Sequence, residues 1–297
     1  MSSGYRSVFR PDLFADHTFL VTGGGSGIGR CTAHELASLG ATVILMGRKL
    51  DKLEQVAAEI REDGGKADCA AQDIRDEEGV KACVAALLGK HERIHGLVNN
   101  AGGQFTSPLE AISQKGFETV VRTNLVGGFV LARELFNQHF SRKGRGGLII
   151  NIVADMWNGM PGMGHSGAAR AGMINFTQTA AIEWARAGVR VNAVAPGWIA
   201  SSGMDTYPDM VKAMIPKLAE AVPLKRLGSE AEVSAAICFL LSPAAAFITG
   251  ATLRVDGAAS MMPHHWPMPN HDRSHAYAGF HRSTLAEPLA KLTKPET

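Results

Sequence analysis

The stretch Thr22-Gly23-Gly24-Gly25-Ser26-Gly27-Ile28-Gly29-Arg30 decides how this chain is read. It follows the apolar run Phe19-Leu20-Val21. It opens a segment whose apolar residues, Cys31, Ala33, Leu36, Ala37 and Leu39, recur at helical spacing. A strand, a glycine turn and a helix in that order form a phosphate site. Gly23 permits a tight turn, Gly27 lets backbone approach a pyrophosphate, and Gly29 lets helix and strand pack closely. The free N–H groups and dipole at the helix start favour the negative charge.

From that turn onward strands and helices alternate. Ala41–Met46 is a continuous apolar run, as a parallel strand buried on both faces requires. Further strands are expected near 67–71, 95–98, 147–153, 189–194 and 251–255. The pattern predicts an α/β fold, a Rossmann-type doubly wound parallel sheet of seven strands with helices on both faces. Ligands of such a sheet bind at the carboxyl ends of the strands. Asp73, Asn99 to Gly102, Asn124, Val153 and Pro196 all fall at or beside those ends. Residues 1–257 read as one dinucleotide-binding and catalytic domain with a substrate lid at about 198–228, followed by a tail over 258–297.

Composition excludes other classes. With 297 residues, 45% of them hydrophobic, the chain can bury an ample core. A net charge of +2 gives no reason to expect nucleic acid or an anionic membrane as partner. No apolar run approaches the roughly 20 residues that span a bilayer. Cys31, Cys69, Cys83 and Cys238 are far apart and read as reduced thiols of a cytoplasmic protein. The tail histidines His264, His265, His271, His275 and His281 lack tight ligand spacing, so no metal site is expected.

The spacing Thr-Gly-x-x-x-Gly-Ile-Gly resembles that of the short-chain dehydrogenase/reductase family, and the similarity extends over residues 15–257. The resemblance implies a nicotinamide dinucleotide. Gly23, Ser26, Gly27, Ile28 and Gly29 would hold its pyrophosphate, Asp73 its adenine, and Asn99, Ala101 and Gly102 its ribose. Pro196, Gly197, Ile199 and Ser201 would lie beside the nicotinamide, with Ser201 where the family usually has Thr. A carboxylate after the second strand would bind the ribose 2′-hydroxyl of NAD, but Gly47 stands there, followed by Arg48 and Lys49. Arg48 suits a 2′-phosphate, so NADP is favoured and NAD is the alternative.

The family's catalytic set is Asn, Ser, Tyr and Lys, and this chain departs from it. Only Asn124 is retained. Aligning Arg170-Ala171-Gly172 with the usual Lys-Ala-Gly puts Arg170 in the Lys place, Ser166 in the Tyr place and Val153 in the Ser place. A serine hydroxyl cannot replace a phenol, whose pKa starts near about 10. The segment His165-Ser166-Gly167-Ala168-Ala169-Arg170-Ala171-Gly172 is similar to that of the family's trans-2-enoyl-CoA reductases and bacterial relatives. Asn99-Asn100-Ala101-Gly102-Gly103-Gln104-Phe105 and Leu240 to Gly250 resemble the same group. Some bacterial relatives act in acyclic terpene (citronellol) breakdown.

Reduction of a 2-enoyl thioester needs donors at the thioester oxygen, which Asn124 or Ser166 can supply, and a proton at the α-carbon. His165 and Asp155 are the candidate acids, and each has a plain packing or capping alternative. Arg170 stays charged and would hold the nicotinamide ribose. Met204, Tyr207, Met210, Met214, Ile215 and Leu218 would line an acyl pocket, faced by the Met156–Met163 loop. A tail of this length, with Trp266 and prolines, is expected to wrap a neighbouring subunit, and the resemblance implies a homotetramer. The leading reading is reduction of an acyl-CoA or similar enoyl substrate with NADP(H). Dehydrogenation of a hydroxyacyl-CoA or terpenoid alcohol with NAD(H), or a catalytically silent cofactor sensor, are the alternatives.

Overall fold

The structure is a computed structural model that describes residues 4–206, 209–262 and 268–290. A seven-stranded sheet runs in the order β3-β2-β1-β4-β5-β6-β9, and every pairing is parallel. Its strands are β1 (Thr18–Thr22), β2 (Thr42–Gly47), β3 (Lys66–Ala71), β4 (Gly96–Asn99), β5 (Gly147–Ile152), β6 (Val189–Pro196) and β9 (Thr252–Val255). Val43 to Met46 have no exposed surface, as the apolar run requires.

Helices cover both faces. On one, α1 (Gly27–Ser38), α2 (Leu50–Glu62) and α9 (Glu230–Leu241) pack on Val21, Leu45, Ile150 and Val194. On the other, α3 (Glu77–Lys90), α5 (Gly127–Leu135) and α6 (Gly164–Trp184) pack on Leu20, Ile44, Leu97 and Ile149. The helix α4 (Gln114–Val121) runs into α5 through a π-helical turn, Arg122–Val126. Local chemistry sets the ends. Gly40 takes φ +92° after α1, and α9 opens on a capping box between Ser229 and Glu232.

Two further features lie outside the main sheet. A two-stranded sheet joins β7 (Ile199–Ala200) to β8 (Gly228–Ser229), and the segment between them carries two short helices, α7 (Asp209–Lys212) and α8 (Ile215–Leu218). The tail residues 268–290 pack beside α1, α2 and α9 of this chain. Tyr5 Oη and Ser7 Oγ donate to the buried Glu35 carboxylate on α1, at 3.1 and 2.8 Å, and Ser234 Oγ of α9 donates to it as well. Phe280 stacks on Tyr5 at 5.8 Å and lies under the Arg30 guanidinium. Arg282 pairs with Asp63 and Glu62 beyond the end of α2 and inside it. The lead and the tail thus close the α1–α9 seam together.

Burial lowers the pKa of His34 and of His95, each to about 4. The unfolded chain binds a proton at each near about 6.5, so falling pH favours unfolding between those values. Glu35 and Glu230 work the other way, because burial raises their pKa values. The test is therefore a comparison of variants. His95→Gln, which cannot take up the proton, should lose less thermal stability than wild type between pH 6.5 and about 4. An equal loss would show that His95 does not contribute.

Candidate active site

The sheet order reverses between β1 and β4, and the crevice opens there. Thr22 at the end of β1 bridges the gap. Its Oγ1 donates to Val98 O and accepts from Asn100 N at 2.9 Å and Ala101 N at 2.8 Å. Gly23 follows with φ +66°, and a Cβ there would lie 2.8 Å from Asn100 Nδ2. Gly27 also has positive φ. Gly29 sits so close to the Gly23 carbonyl that no side chain fits. Ser26 is extended and makes no side-chain cap, so the first-turn N–H groups of α1 are left for an anion. This cradle fits a dinucleotide pyrophosphate.

A cleft of about 580 Å³ extends from the glycine turn across the ends of β2 and β3. Arg48, Lys49, Lys52, Asp73 and Arg75 all line it. The Asp73 carboxylate grips the Arg75 guanidinium with both oxygens, Oδ2–Nη2 being 2.6 Å, and Arg75 holds its pKa below the usual carboxylate range. Arg48 makes no ion pair among the described residues, so the rim keeps a net positive charge beside Gly47. Lys52 and Arg75 were not foreseen from the sequence. Asn99 behaves differently from expectation. Its side chain is buried and donates to Gly128 O and Asn151 Oδ1, away from the cleft. Asn100, its neighbour, lines the cleft and faces the glycine turn.

Beside the cleft, the π-helical turn presents Asn124. Its Oδ1 accepts from Gly103 N at 2.9 Å, and its Nδ2 donates to Ser166 Oγ at 3.3 Å. Ser166 Oγ donates in turn to Gln104 Oε1 at 2.9 Å. The relay therefore has a fixed direction, and Gln104 is a member that the sequence did not single out. One turn along α6, Arg170 is almost wholly buried, with Nη1 on Ile152 O at 2.6 Å and Nε without a partner among the described residues. Burial lowers its pKa to about 10, so it is charged near neutrality. Gly102 leaves the room its guanidinium needs, since a Cβ there would meet Nη2 at 2.5 Å. Asn124, Ser166 and Arg170 are thus brought together.

His165 has no exposed surface. Its Nδ1 accepts from Ser166 N at 2.9 Å, and its ring meets Phe105 edge-on at 4.4 Å. Val153 packs among Met173, Ala193 and Ala195. Pro196 ends β6, Gly197 N donates to Val255 O, and Ile199 is buried in the core that α1 and α9 share. Ser201 is half-buried, and its carbonyl accepts from Met204 N. Among the described residues of 198–228, part of the apolar set packs against the tail. Met204 and Ile215 are buried with Leu218 against Ala286 and Leu289 of the tail, around α10 (Glu287–Ala290). Met214 is exposed. Tyr207, His264, His265, Trp266 and the Met210 side chain lie outside the described residues. Among the described residues no cluster of three His, Cys, Asp or Glu could hold a metal. No helix there is long and apolar enough to cross a membrane.

Comparison with known proteins follows this geometry. The profile of the family described as Enoyl-(Acyl carrier protein) reductase matches residues 23–260. The peroxisomal 2,4-dienoyl-CoA reductase [(3E)-enoyl-CoA-producing] of Danio rerio is 35% identical over 86% of this chain and 85% of its own. A glucose 1-dehydrogenase of Gluconobacter oxydans is 37% identical over 84% of this chain and 94% of its own. A solved citronellol catabolism dehydrogenase of Pseudomonas aeruginosa PAO1 is 64% identical, with a TM-score of 0.78 over 86% of this chain and all of that one.

The glycine cradle makes a direct prediction. Gly29→Ala should displace the first turn of α1 and weaken dinucleotide binding about tenfold or more, on the order of 1.4 kcal/mol. Calorimetric titration with NADPH checks this, and an unchanged affinity would remove the close approach from the binding account.

Proposed function

The chain belongs to the short-chain dehydrogenase/reductase family, and from that premise we propose that it is an NADP(H)-dependent reductase of 2-enoyl-CoA thioesters. The relatives' printed activities differ, so the substrate class is argued from the site. When bound, the nicotinamide supplies a hydride. The residues fitted to hold the dinucleotide are the Gly23–Gly29 turn, the Arg48 rim and Arg170.

The observation that carries the reading is the directed relay from Asn124 through Ser166 to Gln104, at the place where alcohol-oxidising members have a phenol. Oxidising an alcohol requires a base for the hydroxyl proton, and neither Ser166 nor Arg170 can serve. Hydride addition to an enoyl thioester needs only a donor at the oxygen where negative charge grows. Ser166 Oγ already donates, over 2.9 Å, to an amide oxygen of Gln104. A thioester oxygen taking that position would accept the same proton without any movement of Ser166. The charged Arg170 one turn away raises the positive potential there.

The positive rim formed by Arg48, Lys49 and Lys52, with Asp73 already occupied by Arg75, supports a 2′-phosphate and hence NADP. NAD remains the alternative cofactor. Exposed Phe129 on α5 and Ile182 on α6 support a homotetramer with those helices at one interface. The second reading, dehydrogenation of a hydroxyacyl-CoA or terpenoid alcohol, is favoured by the 64% identity with the citronellol catabolism dehydrogenase.

Absorbance at the nicotinamide band during incubation with a medium-chain trans-2-enoyl-CoA tests the proposal. Oxidation of NADPH faster than NADH is expected. Arg48→Ala should lower kcat/KM with NADPH about 10-fold to 100-fold, the worth of a hydrogen bond to a charged group, and leave NADH nearly unaffected. Ser166→Ala should lower kcat about 100-fold to 1,000-fold, as loss of an oxyanion donor does. Absence of enoyl-CoA turnover, alongside oxidation of a terpenoid alcohol with NAD, would replace this reading by the second.

A further inference from the structure

Adding hydride to the β-carbon of an enoyl thioester leaves an enolate, and the α-carbon must then gain a proton. The relay described above contains no acid for that step. Asn124 is an amide, the Ser166 proton is directed to the carbonyl side, and Arg170 is bound to Ile152 O. His165 is also out of reach. It is fully buried, turned into the Ser166 N–H, and closed in by Phe105.

Asp155 is placed differently. The ladder between β5 and β6 continues past the end of β5, with Val153 N bonded to Val194 O and Asp155 N to Pro196 O at 3.1 Å. Side chains alternate along such a ladder, so Asn151, Val153 and Asp155 share a face. Asn151 bonds Thr177 of α6 and Val153 packs on Met173 of α6, so that face is the one carrying Ser166 and Arg170. Asp155 stands at its carboxyl edge, beside the Pro196-Gly197 turn. It is half-buried and therefore open to solvent for reprotonation.

The register across β5, β6 and β9 also brings Asp256 into line with it. Gly197 lies between the two carboxylates, and a Cβ there would meet Asp256 Cα at 2.8 Å. Asp256 accepts from Ala258 N, Ser260 N and Ser260 Oγ, which fixes it as an acceptor. The other charged group acting on Asp155 is Arg254 on β9, whose guanidinium lies 3.8 Å over the Trp157 ring.

We propose that Asp155 is the acid that protonates the substrate α-carbon, through one water, in place of the missing phenol. The inference rests on the enoyl-CoA reading. In balance, the β-carbon gains the hydride and the nicotinamide is left oxidised. The α-carbon gains the proton that the Asp155 carboxyl releases, and solvent returns that proton to Asp155 before the next turnover. Burial first, and Asp256 second, raise the Asp155 pKa above the usual carboxylate range, while the Trp157 backbone N–H and then Arg254 oppose them.

The test is the pH dependence of kcat with saturating enoyl-CoA and NADPH. Wild type should lose activity on the alkaline side as Asp155 loses its proton. Asp155→Asn should lower kcat about 100-fold to 10,000-fold, the span of general-acid effects, abolish that alkaline limb, and leave the NADPH dissociation constant unchanged. Asp256→Asn should move the limb to lower pH and Arg254→Gln to higher pH, so the two shifts oppose each other even if one variant folds poorly. An Asp155→Asn enzyme with wild-type kcat and limb overturns the assignment, as does one that has lost NADPH binding in proportion to activity. Wild type that binds NADPH yet fails on every enoyl-CoA overturns the substrate reading, and this proposal with it.

Discussion

The Thr22 hydroxyl is the joint on which the site depends. Parallel strands β1 and β4 must part at their carboxyl ends for the crevice to open, and parting exposes backbone groups at the end of β4. One side chain satisfies them, since Thr22 Oγ1 takes the N–H groups of Asn100 and Ala101 and donates to Val98 O. Buried backbone groups left unpaired would each cost about 1–3 kcal/mol. The same hydrogen bonds hold the glycine turn against the Asn100–Gly103 turn. The pyrophosphate cradle and the anchor of Asn124 are therefore one rigid assembly, because Gly103 N is what fixes the Asn124 amide.

From this joint the catalytic layer is built outward by two small residues. Gly102 leaves space for the Arg170 guanidinium, and Ser166 leaves space for Gln104 where a larger ring would stand. The replacement of phenol by hydroxyl is thus accompanied by a polar partner for Ser166. Among the described residues, two buried donors of the site lack partners, Arg170 Nε and His165 Nε2, and both lie on α6.

Much of the fold was legible because its physics is local. A strand buried on both faces must be apolar throughout, so Val43 to Met46 declared itself, and the glycine turn fixed the order of strand and helix. Asn124, Ser166 and Arg170 were legible through the resemblance, since they fall where the family's motifs place its catalytic residues. What was hidden depends on partners far away in sequence. The Asn99 and Asn100 pair reads as one motif, yet strand alternation turns the first into the core and the second toward the turn. Lys52 and Arg75 reach the cleft only because β2 and β3 end side by side. The lid methionines carry an apolar signal that cannot tell substrate from tail, and Met204 and Ile215 turned out to face Ala286 and Leu289. The tail itself has no periodicity that would distinguish its own subunit from a neighbour.

The closure of the α1–α9 seam has a consequence for how the chain comes to be folded during synthesis. The glycine turn and α1 leave the ribosome early. Arg30, however, finds the carbonyl of Arg282 252 positions later, and Arg6 N reaches Gly279 O. Contacts of such sequence separation form late and slowly. The nucleotide helix can form its turn against β1 while its outer side still waits for residues near Phe280. A nascent chain thus holds a half-supported cofactor cradle for most of its translation, and completion of the seam coincides with arrival of the tail.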